Sequence, residues 1–330
     1  MKKLLFFLLV LLCIKVNASI VVMDADSGRV LYEKNMNQRK LIASTSKIMT
    51  CIIALENGNL KDEYIVGDEI KSVDGSSIYA KEGEVYTLED LLYGLMLRSG
   101  NDASMIISKN TLGHDKFIAS MNVKAYMLGM NNTSFENPHG LNNDTSNYST
   151  AYDMALLMKY AIKNKDFLKI SSTIKYKDWY NKNKLLSEYK YLISGKIGYT
   201  KRSGQVFVSA AKKDNKTLII VSIDEADKFN LHKRLYEEYF DKYELYKVLD
   251  KYTFTFKNND NNHYYILNDF YMLLNNKEKD KLKIKINING VIDYVSIYYD
   301  NKIIHNERLL KINYFERMKN IKEKLLFFST

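Results

Sequence analysis

Cysteine is nearly absent from this 330-residue chain, with only Cys13 and Cys51, and proline occurs once, as Pro138. Cys13 falls in an N-terminal stretch with the marks of a removable leader: basic Lys2 and Lys3, an apolar run from Leu4 to Ile14, and small residues at Val16-Asn17-Ala18. That run is too short to span a bilayer, so residues 1–18 read as a secretory signal peptide with cleavage near Ser19. Leu12 precedes Cys13 where a lipid-attachment signal places a small residue, which argues against a lipoprotein. Cys51 is then alone, an internal disulfide is excluded, and stability has to come from packing. After residue 18 no stretch is long and apolar enough to cross a membrane.

Other absences narrow the function. His114, His139, His232, His263 and His305 are scattered, so no metal site is indicated and no cofactor is expected. The Asn-rich stretch 258–262 lacks the glycine and terminal glutamate of a calcium loop and reads as a surface turn. No zinc ligand set, recognition motif or basic block interleaved with aromatics points to nucleic acid. Lys and Arg number 49 against 39 Asp and Glu, and loss of Lys2, Lys3 and Lys15 with the leader lowers the formal +10 by three. The remaining charge is spread out, as on a solvated lysine-rich surface or one drawn to an anionic membrane or wall.

What is present is globular: 46% hydrophobic and 27% charged residues, over a length that suits two domains. Residues 20–24 and 29–33, around Asp26-Ser27-Gly28, read as a hairpin. A helix is predicted from 44 to about 57, with Ile48, Cys51, Ile52 and Leu55 at its core and Gly58 as its stop. Thr87 caps a second, whose Leu88, Leu91, Leu92, Leu95 and Met96 are buried and which ends at Ser99-Gly100-Asn101. Further helices are predicted at 102–111, 115–129, 150–163 and 227–243, the second with Ile118, Met121, Ala125 and Leu128 inward and Met127 and Met130 as packing residues. Strands are expected at 191–199, 205–211 and 217–223, with Asp214-Asn215 as a turn. The fold class is mixed α/β, a largely antiparallel sheet with flanking helices over residues 19–244.

From 245 to 310 the pattern is a small all-β domain. Tyr252, Phe254 and Phe256 alternate with threonines, Leu282 to Ile288 alternate with lysines, and Asn289-Gly290 predicts a tight hairpin turn. Residues 311–330 read as an amphipathic helix with Tyr314, Met318, Ile321, Leu325 and Phe328 on one face and Arg317, Lys319, Lys322 and Lys324 around it. Such a helix either packs on the β domain or lies on a membrane surface.

Three short motifs carry chemistry. In Ser44-Thr45-Ser46-Lys47 a spacing of three puts an amine beside a hydroxyl at a helix N-terminus. The pattern alone is weak, since it recurs from Ser172, Ser187 and Ser209. Ser99-Gly100-Asn101 lies in a helix-to-helix turn, and Lys196-Ile197-Gly198 at the end of a strand. Their order, spacing and contexts follow the S-x-x-K, S-D-N and K-T-G set of serine acyl-enzymes, with the middle residue of the last two changed.

With these motifs the chain resembles the D-alanyl-D-alanine carboxypeptidases, the low-molecular-mass penicillin-binding proteins. The likeness extends through Gly75-Ser76-Ser77, Asp90 to Met96, Gly100-Asn101-Asp102-Ala103, Met121-Asn122, Leu128-Gly129-Met130 and Asn137 to Leu141, over roughly residues 20–242. It implies a penicillin-binding-protein/serine β-lactamase-like domain, and peptidoglycan stem peptides as substrate. It also implies covalent inhibition by β-lactams, and export to the outer face of the cytoplasmic membrane, the periplasm or the wall.

The resemblance implies Ser44 as nucleophile, Lys47 as its base once its pKa is lowered, and Ser99 as a proton relay. Asn101 and Lys196 would hold the substrate backbone and carboxylate, and the backbone N–H groups of Ser44 and Tyr199 would form an oxyanion hole beside Gly198. Ile197 stands where the family has a threonine that binds the carboxylate, and Thr200 is a candidate replacement. His139 is expected to fix a loop. Two other readings stay open: a silent peptidoglycan-binding protein of the same fold, favoured only by Ile197, and a serine β-lactamase, which the missing Glu-x-x-Leu-Asn motif and the extra β domain disfavour.

Overall fold

The computed structural model describes residues 18–143, 145–258, 262–288 and 292–312. They fall into two units, one made of 18–23 and 30–238, the other of 24–29 and 239–312.

In the first unit, the hydrophobic run at the start forms β1 (Ser19–Asp24), buried along its whole length, with β2 (Val30–Lys34) antiparallel to it. The sheet is completed by β3 (Leu192–Thr200), β4 (Gly204–Lys213) and β5 (Lys216–Ile223), in the order β2-β1-β5-β4-β3. Both β3/β4 and β4/β5 pair antiparallel. Asp214 and Asn215 join β4 to β5 with φ of 50° and 64°, the left-handed pair that matches the twist of a two-residue hairpin. β3 is an edge strand, so one side of its backbone stays unpaired within the sheet.

The α-helices of six or more described residues are α1 (Lys47–Asn57), α2 (Leu88–Tyr93), α3 (Asn101–Thr111), α4 (His114–Met127), α5 (Ala151–Ala161), α6 (Lys165–Ser172) and α7 (Lys228–Lys242). α1 is buried through its first eight residues, Lys47 to Ala54, as a helix surrounded by protein must be. The predicted start at residue 44 is corrected: Ala43–Ser46 form a 3-10 turn and α-helical bonding begins at Lys47. The Thr87 cap is present, its Oγ1 accepting from Asp90 N at 3.1 Å, and the leucine face beyond it is buried. A π-helical turn, Gly94–Arg98, follows α2 and ends at Ser99 with φ 62°.

On α4 the core face is Phe117, Met121 and Ala125, with Ile118 only half-buried, because the apolar ladder starts one residue before Ile118. Met130 is buried, but Met127 is 70% exposed and packs against nothing that would hide it. α6 was not predicted: it is two turns long, too short for a periodic signal, and is nucleated by Asn164, whose Oδ1 accepts from the N–H of Asp166 and Phe167.

The second unit contains β6 (Glu244–Leu249), β7 (Thr255–Lys257), β8 (His263–Tyr265), β9 (Phe270–Leu274), β10 (Leu282–Asn287), β11 (Tyr294–Tyr299), β12 (Lys302–Arg308) and β13 (Leu310–Ile312). They form the sheets β6-β9, β7-β8-β13 and β10-β11-β12 around a core that includes Leu249, Phe270, Met272, Val295 and Ile297. Tyr252 lies in a turn, 79% exposed, so the Tyr252-to-Phe256 alternation overstates a strand that begins at Thr255. Ile284 is 48% exposed because β10 is an edge. β10 and β11 pair in the register of the expected hairpin, Asn287 opposite Tyr294, while Asn289-Gly290 lies outside the described residues. Also outside them are the leader 1–17, most of the 258–262 turn and the predicted C-terminal helix from 313 on. Lys311 and Ile312, assigned by pattern to that helix, belong to β13. Among the described residues no helix is long and apolar enough to cross a membrane.

Candidate functional site

Ser44 sits in the 3-10 turn at the head of α1, and neighbours pin that turn. Ala43 adopts φ 48°, Ser46 Oγ donates to Ala43 O at 3.0 Å, and Thr45 Oγ1 donates to Ile42 O at 2.6 Å. The loop carrying Gly140 (φ 90°) passes so close that a Cβ there would lie 2.0 Å from Ala43 O, a distance only glycine permits. One turn on, Lys47 is fully buried, with Nζ 3.2 Å from Ser44 Oγ. Nζ also donates to Asn101 Oδ1 at 2.7 Å and to His139 O at 2.6 Å. Burial first, then the cations Lys196 and Lys182, push its pKa well below that of an ordinary lysine.

Asn101 opens α3, and two carbonyls of the 74–76 loop hold it. Its N–H donates to Ser76 O at 2.7 Å and its Nδ2 to Asp74 O at 2.6 Å. Asp102 anchors the same loop by accepting from Ile78 N at 3.0 Å, Ala80 N at 3.2 Å and the Ser77 hydroxyl. Ser99, buried in its left-handed conformation, accepts from Lys196 Nζ at 2.9 Å. Lys196 is itself buried, its pKa lowered to about 7 by desolvation and then by Lys182. Its Nζ also donates to Ile197 O.

The pleat of β3 sends Lys196 and Gly198 to one face and Ile197 to the other, where Phe207 is its cross-strand neighbour. A Cβ on Gly198 would lie 2.9 Å from Ser44 N, so glycine lets the strand close on the turn that carries the hydroxyl. Tyr199 follows with its side chain 60% exposed. Thr200 Oγ1 is taken up in the β3–β4 turn, donating to Ser203 Oγ at 3.0 Å and accepting from Ser203 N at 3.1 Å. The structure therefore gathers Ser44, Lys47, Ser99, Asn101, Lys196 and Gly198, and engages the Thr200 hydroxyl elsewhere.

His139 contributes through its main chain. Its imidazole, half-buried and beside Lys47, has its pKa lowered to about 3, by desolvation first and then by Lys47, with Nδ1 accepting from Leu141 N at 3.0 Å. Sequence reasoning missed the grip of His139 O on Lys47 and of Asp74 O and Ser76 O on Asn101, since every residue type carries a carbonyl. Asp102 entered the sequence reading only within the family likeness, and its place as an acid in the first turn of a helix is the signal that could have singled it out. Among the described residues no cluster of three or more His, Cys, Asp or Glu side chains is arranged to hold a metal. A serine hydroxyl within reach of a neutral-leaning amine, flanked by a second lysine on a second serine, is suited to nucleophilic attack with an internal base.

Residues 14–227 match the sequence profile of the family described as D-alanyl-D-alanine carboxypeptidase. A D-alanyl-D-alanine carboxypeptidase of Bacillus subtilis is 36% identical over 220 residues, covering 62% of this chain and 56% of that protein, so the match spans little more than half of that relative. One of Mycobacterium tuberculosis is 33% identical over 209 residues, covering 61% of this chain and 72% of its own. Among solved structures, a Mycobacterium tuberculosis D-alanyl-D-alanine carboxypeptidase superposes with TM-score 0.64 at 29% identity over 68% of this chain and 90% of that one. Penicillin binding protein 5 of Haemophilus influenzae, at 23% identity, shares the fold over 89% of this chain and 96% of its own, with TM-score 0.74.

Proposed function

The chain belongs to the D-alanyl-D-alanine carboxypeptidase family, and from that footing we propose that it removes the terminal D-alanine of peptidoglycan stem peptides through an acyl-enzyme on Ser44. The observation that carries the reading is the buried Lys47 amine on the Ser44 hydroxyl. Ser44 Oγ attacks the carbonyl between the two D-alanines as Lys47 takes its proton, and backbone N–H groups of Ser44 and Tyr199 stabilise the oxyanion. Ser99, bonded to Lys196, relays a proton to the leaving D-alanine amine, Asn101 holds the peptide backbone, and Lys196 attracts the free carboxylate. Water then releases the shortened peptide. The same geometry accepts a β-lactam, whose ring opens onto Ser44.

The test is paired. Wild-type protein incubated with penicillin gains a single adduct by intact mass that Ser44→Ala abolishes, and a peptide ending in D-Ala-D-Ala yields free D-alanine. An adduct that survives Ser44→Ala removes Ser44 as nucleophile.

Ile197 favours a second reading, a weakened or silent relative that still binds wall peptide. An isoleucine offers no hydrogen bond to a carboxylate, and the engagement of the Thr200 hydroxyl with Ser203 speaks against a substitute from that side. Ile197→Thr is therefore expected to raise kcat/KM on D-Ala-D-Ala peptides by about tenfold, the equivalent of about 1.4 kcal/mol. Thr200→Val is expected to be nearly neutral. Loss of turnover in Thr200→Val with no gain in Ile197→Thr would assign the carboxylate contact to Thr200 instead.

Export through the 1–18 leader, and attachment to anionic membrane through 313–330, complete the proposal. Both rest on the composition of those segments.

A further inference from the structure

The lysines that alternate with Leu282, Ile284 and Ile286 along β10 take no part in the chemistry at Ser44. We propose that the face they occupy binds the wall polymer itself, N-acetylated sugar strands whose peptides carry carboxylates, and so holds the chain on the material whose peptide ends it trims. The identity of this occupant rests on the carboxypeptidase reading above.

Register defines the face. Lys283 lies opposite Tyr298, Lys285 opposite Ser296, and on β12 Asn306 lies opposite Ser296 and Arg308 opposite Tyr294. Residues directly opposite share a face, and so do residues two apart on one strand. The contacts agree: Lys285 Nζ is 4.7 Å from the Tyr298 ring centroid, and Ser296 Oγ donates to Asn306 Oδ1 at 2.8 Å. The intervening Val295 and Ile297 go to the core.

Charge on this face has one sign. Lys283, Lys285 and Arg308 are exposed, and no carboxylate stands in the paired positions between them. Elsewhere the chain matches surface lysines with acids, as in Lys71 with Glu82 at 2.6 Å and Lys177 with Asp90 at 2.7 Å. Among the described residues no ion pair joins Lys285 or Arg308 to an acid. One group opposes the pattern: Asp300 is exposed in the turn after β11, next to Asn301, which accepts from Lys283 Nζ at 3.0 Å. Lys285 and Arg308 therefore carry the argument. Lysines on an edge strand also deter pairing with other strands, but that task needs only charge at the rim. It does not account for what the central strand adds.

That addition suits a sugar. Tyr294 and Tyr298 on β11 offer aromatic rings, against which the C–H face of a pyranose packs, and Tyr294 is 38% exposed. The fully buried Ser296 hydroxyl accepts from Asn287 Nδ2 at 3.2 Å and donates to Asn306 Oδ1, so the exposed Asn306 keeps its amide hydrogens for an acetamido carbonyl. The cations then meet the carboxylates of the attached peptides. A bilayer fits less well, because adsorption to lipid needs apolar area as well as charge, and the exposed aliphatic side chain here is Ile303, opposite Tyr298.

The experiment is co-sedimentation of the full chain, its Ser44 blocked beforehand by penicillin, with insoluble peptidoglycan stripped of lipid and of phosphate polymers. Binding is expected to persist with the serine blocked. Lys285→Gln combined with Arg308→Gln should raise the half-saturating amount of peptidoglycan about three- to tenfold at low ionic strength, the worth of two exposed ion pairs. That difference should shrink in about 0.5 M salt, where the Debye length is a few ångströms. Tyr294→Ala should weaken binding at either salt concentration, because a ring contact is not screened. Unchanged penicillin labelling and thermal melts show that each variant is folded. Equal sedimentation of wild type and folded variants overturns the proposal. So does a loss confined to phosphatidylglycerol vesicles, which assigns the face to a bilayer. Face-dependent sedimentation by a protein that takes no penicillin on Ser44 overturns the carboxypeptidase reading instead.

Discussion

Lys47→Met is expected to slow penicillin acylation of Ser44 by about 10²- to 10⁴-fold, the range a positioned general base contributes. Methionine fills a similar volume and keeps α1 helical, so the loss should come without unfolding and be visible as a slow rise of the adduct in intact-mass time courses. Serine itself is a poor nucleophile, and no other amine touches Ser44 Oγ among the described residues. The pH dependence of stability gives a second readout. Lys47 and Lys196 both titrate lower in the folded protein than in the unfolded chain, so the unfolded chain binds more protons over the interval between the two values. Stability therefore rises with pH across that interval, for Lys196 from about 7 toward 10.5. Lys47→Met should flatten that rise, since one of the two contributors is gone. Rapid acylation of a folded Lys47→Met protein would falsify the assignment of the base.

The second large effect belongs to a residue with no side chain. Gly198→Ala would place a methyl 2.9 Å from Ser44 N, 3.0 Å from Ala43 Cβ and 3.1 Å from Thr45 N. Two of those three atoms are backbone, and the turn that owns them is already fixed by Ser46 and by the Gly140 loop. The strand must retreat by several tenths of an ångström, carrying Lys196 and the Tyr199 N–H with it. A full ångström of misplacement costs about 10²-fold in rate at a site that depends on alignment, so this smaller retreat is expected to slow acylation several-fold, up to about that limit. Overpacking typically costs a further 1–3 kcal/mol of stability. Acylation kinetics and thermal melts read the two separately. Unchanged acylation in a folded Gly198→Ala protein would show that β3 need not approach Ser44 so closely.

The architecture was legible where periodicity was strong. The buried leucines of residues 88–95 and the β4–β5 hairpin announce themselves, because one face must be apolar and a two-residue turn needs left-handed residues such as Asp214 and Asn215. α6 was not legible, because two turns give too few repeats. Met127 misled because the hydrophobicity of a single residue does not say which way its helix faces, and Tyr252 because alternation continues through a turn as readily as through a strand.

Side chains in the site were legible as motifs, since serine, lysine and asparagine at those spacings have few structural excuses to co-occur in that order. The support beneath them was not. It consists of carbonyls of Asp74, Ser76 and His139 and of close approaches at Gly140 and Gly198, which are properties of where the backbone runs.

The three contacts of the Lys47 nitrogen decide its electronic orientation. Two end on amide oxygens, of Asn101 and His139, which can only accept. A neutral amine has two N–H bonds and one lone pair. With both hydrogens drawn to those oxygens, the lone pair is left directed at the third contact, Ser44 Oγ. The pair of amide oxygens thus fixes more than the position of the lysine. It leaves the deprotonated nitrogen one way to be satisfied, by taking a hydrogen from serine, so the direction of proton transfer is written into the acceptors around the base before any substrate arrives.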